Sequence, residues 1–207
     1  MSVTHEQFIG LLRQERATAI LRTRDPDRVV PAMQAAVDGG FKVIEFTLNT
    51  PGALAAIRRF VDEPGVTLVG AGTVLTREDA RTAAHAGAQF LVSPVVDEAV
   101  IDVALELGLP MVPGCRTPTE FLRAHRAGAP VQKLFPGAGA GPGFIRSILG
   151  PLPFLNVLPT SGVDPGNARA HLAAGALAVG FVGSLFDCDP DELPYRVRQC
   201  LTAVASG

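Results

Sequence analysis

The chain has 207 residues, which suits a single domain, expected to span residues 1–207, with one substantial core. At 47% hydrophobic and 18% charged residues with a net charge of −2, it has neither the composition of a disordered chain nor the basic face of a nucleic-acid binder. No apolar stretch reaches membrane-spanning length uninterrupted, and the amino terminus, MSVTHEQFIG, lacks a signal-peptide plan, so a cytoplasmic protein is expected.

Taken in chain order, an opening helix is expected from about Thr4 to Gln14, followed by a strand over Ala17–Leu21. Asp25-Pro26 reads as a helix start, with proline tolerated in the first turn, and Asp38-Gly39-Gly40 as its stop. Further strands are expected at Lys42–Leu48, Thr67–Ala71, Gln89–Ser93, Pro110–Pro113, Val131–Phe135, Asn156–Pro159 and Leu177–Val182. Thr50-Pro51, Thr76 to Asp79, Thr117-Pro118 and Asp164-Pro165 resemble helix starts, and Gly87, Gly108, Gly128 and Gly175 helix stops. Strands alternating with helices imply parallel pairing through right-handed crossovers. Eight such units predict a closed (β/α)8 TIM barrel with an extra amino-terminal helix. The other arrangement is a doubly wound open sheet, whose GxGxxG fingerprint after the first strand is absent.

Cys115, Cys188 and Cys200 are scattered, with no CxxC, and read as reduced thiols rather than staples. His5, His85, His125 and His171 all fall in predicted helices and no two stand at i, i+4, so no metal site and no cofactor are expected.

Of the 18 basic residues only Lys42 and Lys133 are lysines. Lys42 reads as the polar residue that opens a strand, whereas Lys133 sits inside the apolar run Val131-Gln132-Lys133-Leu134-Phe135-Pro136. Arginine stays protonated, but a desolvated lysine lowers its pKa and can attack a carbonyl. The structural alternative is a lysine whose stem packs while its ammonium reaches water. Alternation places Val131, Lys133 and Phe135 on one strand face and Gln132 and Leu134 on the other. In the second strand Ile44, Phe46 and Leu48 face the helices, so Glu45 and Thr47 point into the barrel. Glu45 is the only carboxylate within a predicted strand. It is either a proton carrier or a structural partner for a buried cation. Barrel enzymes react at the carboxyl ends of their strands and often hold phosphate after strands seven and eight. Those loops are Thr160-Ser161-Gly162 and Gly183-Ser184, whose small residues, hydroxyls and free N–H groups suit an anionic oxygen.

Gly39-Gly40-Phe41 through Val43-Ile44-Glu45-Phe46-Thr47-Leu48, then Val69-Gly70-Ala71-Gly72-Thr73-Val74-Leu75, Gly87-Ala88-Gln89-Phe90 to Ser93-Pro94, Pro113-Gly114 with Thr117, and Lys133-Leu134-Phe135-Pro136 follow one another in order. In these segments the chain resembles the bacterial class I aldolases that cleave 2-keto-3-deoxy-6-phosphogluconate, grouped with 4-hydroxy-2-oxoglutarate aldolase. The resemblance implies a metal-free barrel, a homotrimer, and cleavage of a phosphorylated keto acid to pyruvate and glyceraldehyde 3-phosphate, as in the Entner-Doudoroff route of carbohydrate metabolism. It implies that Lys133 forms the Schiff base and Glu45 shuttles protons, with Thr73, Pro94 and Phe135 lining the pyruvyl end. It also implies that Ser161, Gly162 and Ser184, with the adjoining Thr160 and Gly183, hold the phosphate.

The gluconate-type enzymes usually carry arginine where this chain has Asn49. Ala19-Ile20-Leu21-Arg22 and Pro113-Gly114-Cys115 look more like the sister enzyme acting on 2-keto-3-deoxy-6-phosphogalactonate, the C4 epimer, while Pro159-Thr160 resembles the gluconate type. Ser161 replaces a glycine common to both. Because Asn49 offers only neutral hydrogen bonds, Arg22 is the expected partner of the substrate carboxylate. The other readings are a 4-hydroxy-2-oxoglutarate aldolase giving pyruvate and glyoxylate, a metal-dependent aldolase or barrel isomerase, and a non-catalytic sugar-phosphate-binding barrel.

Overall fold

The computed structural model describes residues 3–205. Met1 and Ser2 of the amino-terminal segment, and Ser206 and Gly207 at the far end of the expected domain, lie outside the described residues.

Helix α1 (His5–Glu15) comes first, closed at its start by a capping box in which Thr4 and Gln7 exchange hydrogen bonds. Its Phe8 and Leu12, four residues apart, are fully buried on one face. There follow β1 (Ala17–Leu21), a 3-10 turn at Pro26–Arg28, α2 (Val29–Asp38), β2 (Val43–Thr47), α3 (Ala53–Phe60), β3 (Leu68–Gly72) and α4 (Arg77–His85). The chain continues through β4 (Phe90–Val92), α5 (Glu98–Glu106), β5 (Met111–Val112), β6 (Gly114–Cys115), α6 (Pro118–Arg126), β7 (Gln132–Leu134) and α7 (Gly141–Leu149). It ends with β8 (Val157–Pro159), α8 (Ala168–Ala173), β9 (Val179–Phe181), α9 (Gly183–Phe186), a 3-10 turn at Pro190–Glu192 and α10 (Leu193–Val204).

Every expected strand overlaps an observed one, β3 running one residue past its expected end, and all pairings are parallel. Closure is where the expectation needs correcting. The strands form a six-stranded ladder, β5-β4-β3-β2-β1-β9, and a three-stranded one, β6-β7-β8. The expected fifth strand, Pro110–Pro113, holds only Met111–Val112, which pairs with β4, and a further strand just beyond it, Gly114–Cys115, pairs with β7. Pro113 lies between them, and without an N–H it cannot carry the ladder across. At the other seam β8 meets β9 through the single bridge Thr160↔Gly180. The result is a curled parallel α/β sheet whose ladder is not continuous around its circumference.

Two helix starts also differ from expectation. Thr50 does not cap α3, because Gly52 does so, and the Thr50 hydroxyl instead meets Thr47 Oγ1 at 3.0 Å and accepts from the Thr23 N–H at 3.3 Å. Asp164 folds a turn ahead of α8, accepting from the N–H groups of Gly166 and Asn167. Thr76 with Asp79 and Thr117 with Glu120 cap their helices as anticipated.

Packing separates an inside from an outside. Ile44 and Phe46 of β2 pack outward with Met33, Ile57 and Phe60 from the helices, with Leu48 against the same cluster. Leu134 of β7 likewise packs outward on Phe121, Ala124 and Ile145. A third cluster joins Val43, Leu68, Phe90, Val112, Val131 and Leu158 to Phe8 and Leu12. That cluster is the sheet's interior with α1 plugging one end, and Phe8 packs tilted against Phe90 with ring centres 5.2 Å apart. The period-2 alternation of each strand is what sorts residues between the layers.

Candidate active site

Glu45 is the only carboxylate and Lys133 the only amine carried by a strand among the described residues, and both are buried, at 2% and 5% exposure. Alternation puts them inside, where they line one small enclosed cavity together with Thr18, Phe8, Leu12, Phe90, Val92, Val112 and Leu158. Each has a structural reason to sit there. The Lys133 N–H donates to Pro113 O at 2.9 Å, locking β7 to the chain at the split between β5 and β6. Glu45 lies over β3 at Gly72, where any Cβ would collide with its carboxylate oxygen.

The pair is close enough to interact electrostatically without forming an ion pair. Among the described residues the ion pairs are Lys42–Glu15, Arg123–Glu98 and Arg196–Glu192, all on the outside of the molecule. Burial pushes the Glu45 carboxyl above the usual carboxylate range, against the opposing pull of Lys133 and Arg22. Burial pulls the Lys133 amine down; Glu45 opposes this and Arg22 reinforces it. Both shifts run toward the uncharged forms, each opposed by the partner's charge. The Lys133 Nζ also stands 5.0 Å from the Phe135 ring centre. The cysteines are free, and burial raises each thiol, so none matches Lys133 as a nucleophile. Among the described residues no cluster of three His, Cys, Asp or Glu side chains is arranged to hold a metal ion.

Because the strands are parallel, the residues that follow them share one rim. Arg22 follows β1, Asn49 lies just past β2, Thr73 follows β3, Pro94 lies just past β4, and Phe135 follows β7. Thr160-Ser161-Gly162 follows β8, and Gly183-Ser184 opens α9 directly after β9. Arg22 is exposed yet acts on both buried groups. Asn49 is also exposed and makes no hydrogen bond among the described residues, so nothing in the protein ties it to the pair. Thr73 and Ser161 hold left-handed backbone, φ 59° and 57°, where side chains carry strain that the surroundings must support. A glycine suits position 161 for that reason, and serine there bears a cost. Gly162, at φ 109°, lies so close to Ala138 that a Cβ would clash with backbone.

The two rim loops are fastened to each other. Ser184 Oγ donates to Val163 O at 2.7 Å, and the Gly137 N–H donates to Thr160 O at 2.9 Å. The Ser184 hydroxyl is therefore occupied by the neighbouring loop, while the N–H groups of Ser161 and Gly162 donate to no protein acceptor among the described residues. Those of Gly183 and Ser184 open a helix, where intrahelical acceptors are lacking. The loops thus present backbone donors more than side-chain hydroxyls.

Three contributors escaped the sequence reading. Thr18 lines the cavity beneath the pair, and Gly72 makes room for the acid. Arg116 donates from Nη1 to Pro136 O at 2.7 Å and lies over the Phe144 ring, bracing the segment after Lys133, where the Phe135–Pro136 peptide is cis. A polar residue in the otherwise apolar Ala17–Leu21 was the available signal for Thr18. Nothing local flagged Arg116.

Residues 9–193 match the family described as KDPG and KHG aldolase. The chain is 40% identical over 125 residues to the 2-dehydro-3-deoxy-6-phosphogalactonate aldolase of Escherichia coli, covering 60% of this chain and 61% of that one. It is 38% identical over 125 residues to the 2-dehydro-3-deoxy-phosphogluconate aldolase of Treponema pallidum, covering 60% of each. The matched part therefore spans about three fifths of the length of these curated relatives. A solved structure described as native KDPGal superposes with a TM-score of 0.84 at 32% identity, covering 90% of this chain and 93% of that one.

Proposed function

The chain belongs to the KDPG and KHG aldolase family, and from that membership we propose that it is a class I aldolase cleaving a 2-keto-3-deoxy-6-phospho-sugar acid to pyruvate and glyceraldehyde 3-phosphate. The observation that carries this reading is the lone buried amine and lone buried acid sharing one interior cavity, each driven toward its neutral form. We further read the curled sheet as a (β/α)8 barrel, the chain as a single domain, the assembly as a homotrimer and the setting as cytoplasmic. Among the described residues no helix is long and apolar enough to cross a membrane.

In this mechanism the neutral Lys133 amine adds to the C2 ketone, and loss of water gives an iminium. The departing hydroxyl leaves as water with a proton drawn from solvent. The iminium draws electrons from the C3–C4 bond while a base takes the C4 hydroxyl proton, a role for Glu45 once ionised. Glu45, now carrying that proton, protonates the enamine at C3, and water then hydrolyses the pyruvate iminium to release pyruvate and the free Lys133 amine. Arg22 binds the substrate carboxylate, Thr73, Pro94 and Phe135 enclose the pyruvyl end, and Asn49 faces the C4 side. Thr160, Ser161, Gly162, Gly183 and Ser184 hold the phosphate, chiefly through backbone N–H groups.

With Arg22 in place and a neutral residue at position 49, the galactonate epimer is the preferred substrate. Pyruvate release should be measured from both C4 epimers and from 4-hydroxy-2-oxoglutarate, in the presence of a strong chelator. Turnover of the phosphorylated acids, highest for the galactonate epimer, is expected. Turnover of 4-hydroxy-2-oxoglutarate alone, or none on any keto acid, contradicts the proposal.

A further inference from the structure

Beneath Lys133 and Glu45, on the side away from the rim, the interior holds an enclosed cavity of about 10 Å³, close to the room one water needs. Its wall is apolar except at three points: the Thr18 side chain, Glu45 and Lys133. Thr18 is 3% exposed, and its Oγ1 has no partner among the described residues; the same holds for Oε1 of Glu45. Buried oxygens of this kind are rarely left unpaired, and a water joined to two to four polar groups is the usual solution where space allows. The placement follows from the strands. Ile20 stands beside Glu45 in the β1–β2 register, and Thr18 lies two residues earlier, so it is on the same inward face one layer lower. Below it Phe8 and Leu12 of α1 shut the cavity from solvent.

We propose that Thr18 is a positioning residue for the reaction, its hydroxyl and one internal water forming a hydrogen-bonded floor that holds the Glu45 carboxyl in place from below. This rests on the Schiff-base reading of Lys133 and Glu45. An acid held only by its own strand can rotate, and misplacement of a proton-transfer group by a fraction of an ångström is costly in rate. The floor also solvates the ionised carboxylate, the form that must act as base. The charged groups that face Glu45 are Lys133 from β7 and Arg22 after β1. α1, β4, β5 and β8 contribute only the uncharged Phe8, Leu12, Phe90, Val92, Val112 and Leu158 to the cavity.

The test follows exchange of the pyruvate methyl protons with deuterated water by nuclear magnetic resonance across pH, in the wild type, Thr18→Val and Thr18→Ser. Thr18→Val keeps the shape and removes the hydroxyl. It should slow exchange about tenfold and move the acidic limb to higher pH, because the ionised acid loses a hydrogen-bonded partner. Imine trapping with borohydride should remain at the wild-type level. Thr18→Ser retains the hydroxyl and should restore both rate and limb; a purely packing role for the Thr18 methyl would reverse that order and overturn the proposal. A Thr18→Val variant matching the wild type in rate and limb overturns it as well, while leaving the Schiff-base reading intact. A wild type that neither traps pyruvate nor exchanges its methyl protons overturns both. In a crystal structure one water should bridge Thr18 Oγ1 and the Glu45 carboxyl, and a dry cavity contradicts the inference.

Discussion

The interior pair and the rim loops are built by different means. Lys133 and Glu45 present their side chains to the interior, fixed by strand alternation and by a glycine that yields space. The loops at Thr160–Gly162 and Gly183–Ser184 offer backbone instead, with left-handed Ser161 and Gly162 in the first and helix-opening N–H groups in the second, while the Ser184 hydroxyl is spent on holding one loop to the other. A site of the first kind depends on which atom is present. A site of the second kind depends on which φ is allowed, so a methyl group can damage it more than the loss of a hydroxyl.

That contrast can be broken most severely at the proposed nucleophile. Lys133→Arg keeps a positive charge but cannot form an imine, so turnover should fall to background, on the order of 10⁴-fold or more, with no borohydride adduct. Measurable turnover above background would show that the chemistry does not run through this amine. Next in size is Glu45→Gln, which should lose about 10²–10⁴-fold in kcat yet still trap pyruvate. If trapping vanished together with turnover, Glu45 would be needed to form the imine itself.

At the rim, Gly162→Ala forces a side chain toward the Ala138 backbone at φ 109°. The Michaelis constant for the phosphorylated substrate should rise on the order of tenfold or more, with pyruvate trapping unchanged. Ser161→Gly, measured alongside, should raise thermal stability by releasing about 1 kcal/mol of backbone strain. A loss of phosphate affinity there would show that the hydroxyl, not the backbone, is the ligand.

The smallest effect is expected at Arg22→Ala, which touches both regions. The Michaelis constant for pyruvate should rise roughly tenfold, as for one lost charge-assisted hydrogen bond. The sign of the pH effect follows from the charge. Arg22 helps hold Lys133 low, so its removal lets the amine keep its proton to higher pH. Imine formation requires the neutral amine, and its acidic limb should therefore move toward higher pH. Because Arg22 is exposed, salt screens much of this shift. No movement of limb or Michaelis constant would remove Arg22 from the site.

The same difference decides what could be read in advance. Lys133 and Glu45 stood out because a charged residue in a period-2 apolar strand has few bland explanations. The strand and helix rhythm was equally plain, since hydrophobic alternation and threonine caps act locally. Three-dimensional juxtaposition is what hid the remainder. The break at Pro113 depends on which neighbours β5 and β6 pair with, and the bracing of Pro136 by Arg116 joins residues 20 apart in the chain. Thr18 is a single hydroxyl whose importance comes only from what lies across the interior. Ser161 reads in the sequence as a replacement for glycine, but its left-handed backbone is a property of the folded loop.

The central claim is tested most directly by incubating the protein with pyruvate and borohydride and locating the adduct by peptide mass analysis. The chain supplies its own control, because its other lysine, Lys42, is exposed and paired with Glu15 at 3.3 Å. Modification confined to the peptide containing Lys133 is the predicted result. No adduct, or one carried equally by Lys42, would contradict the account.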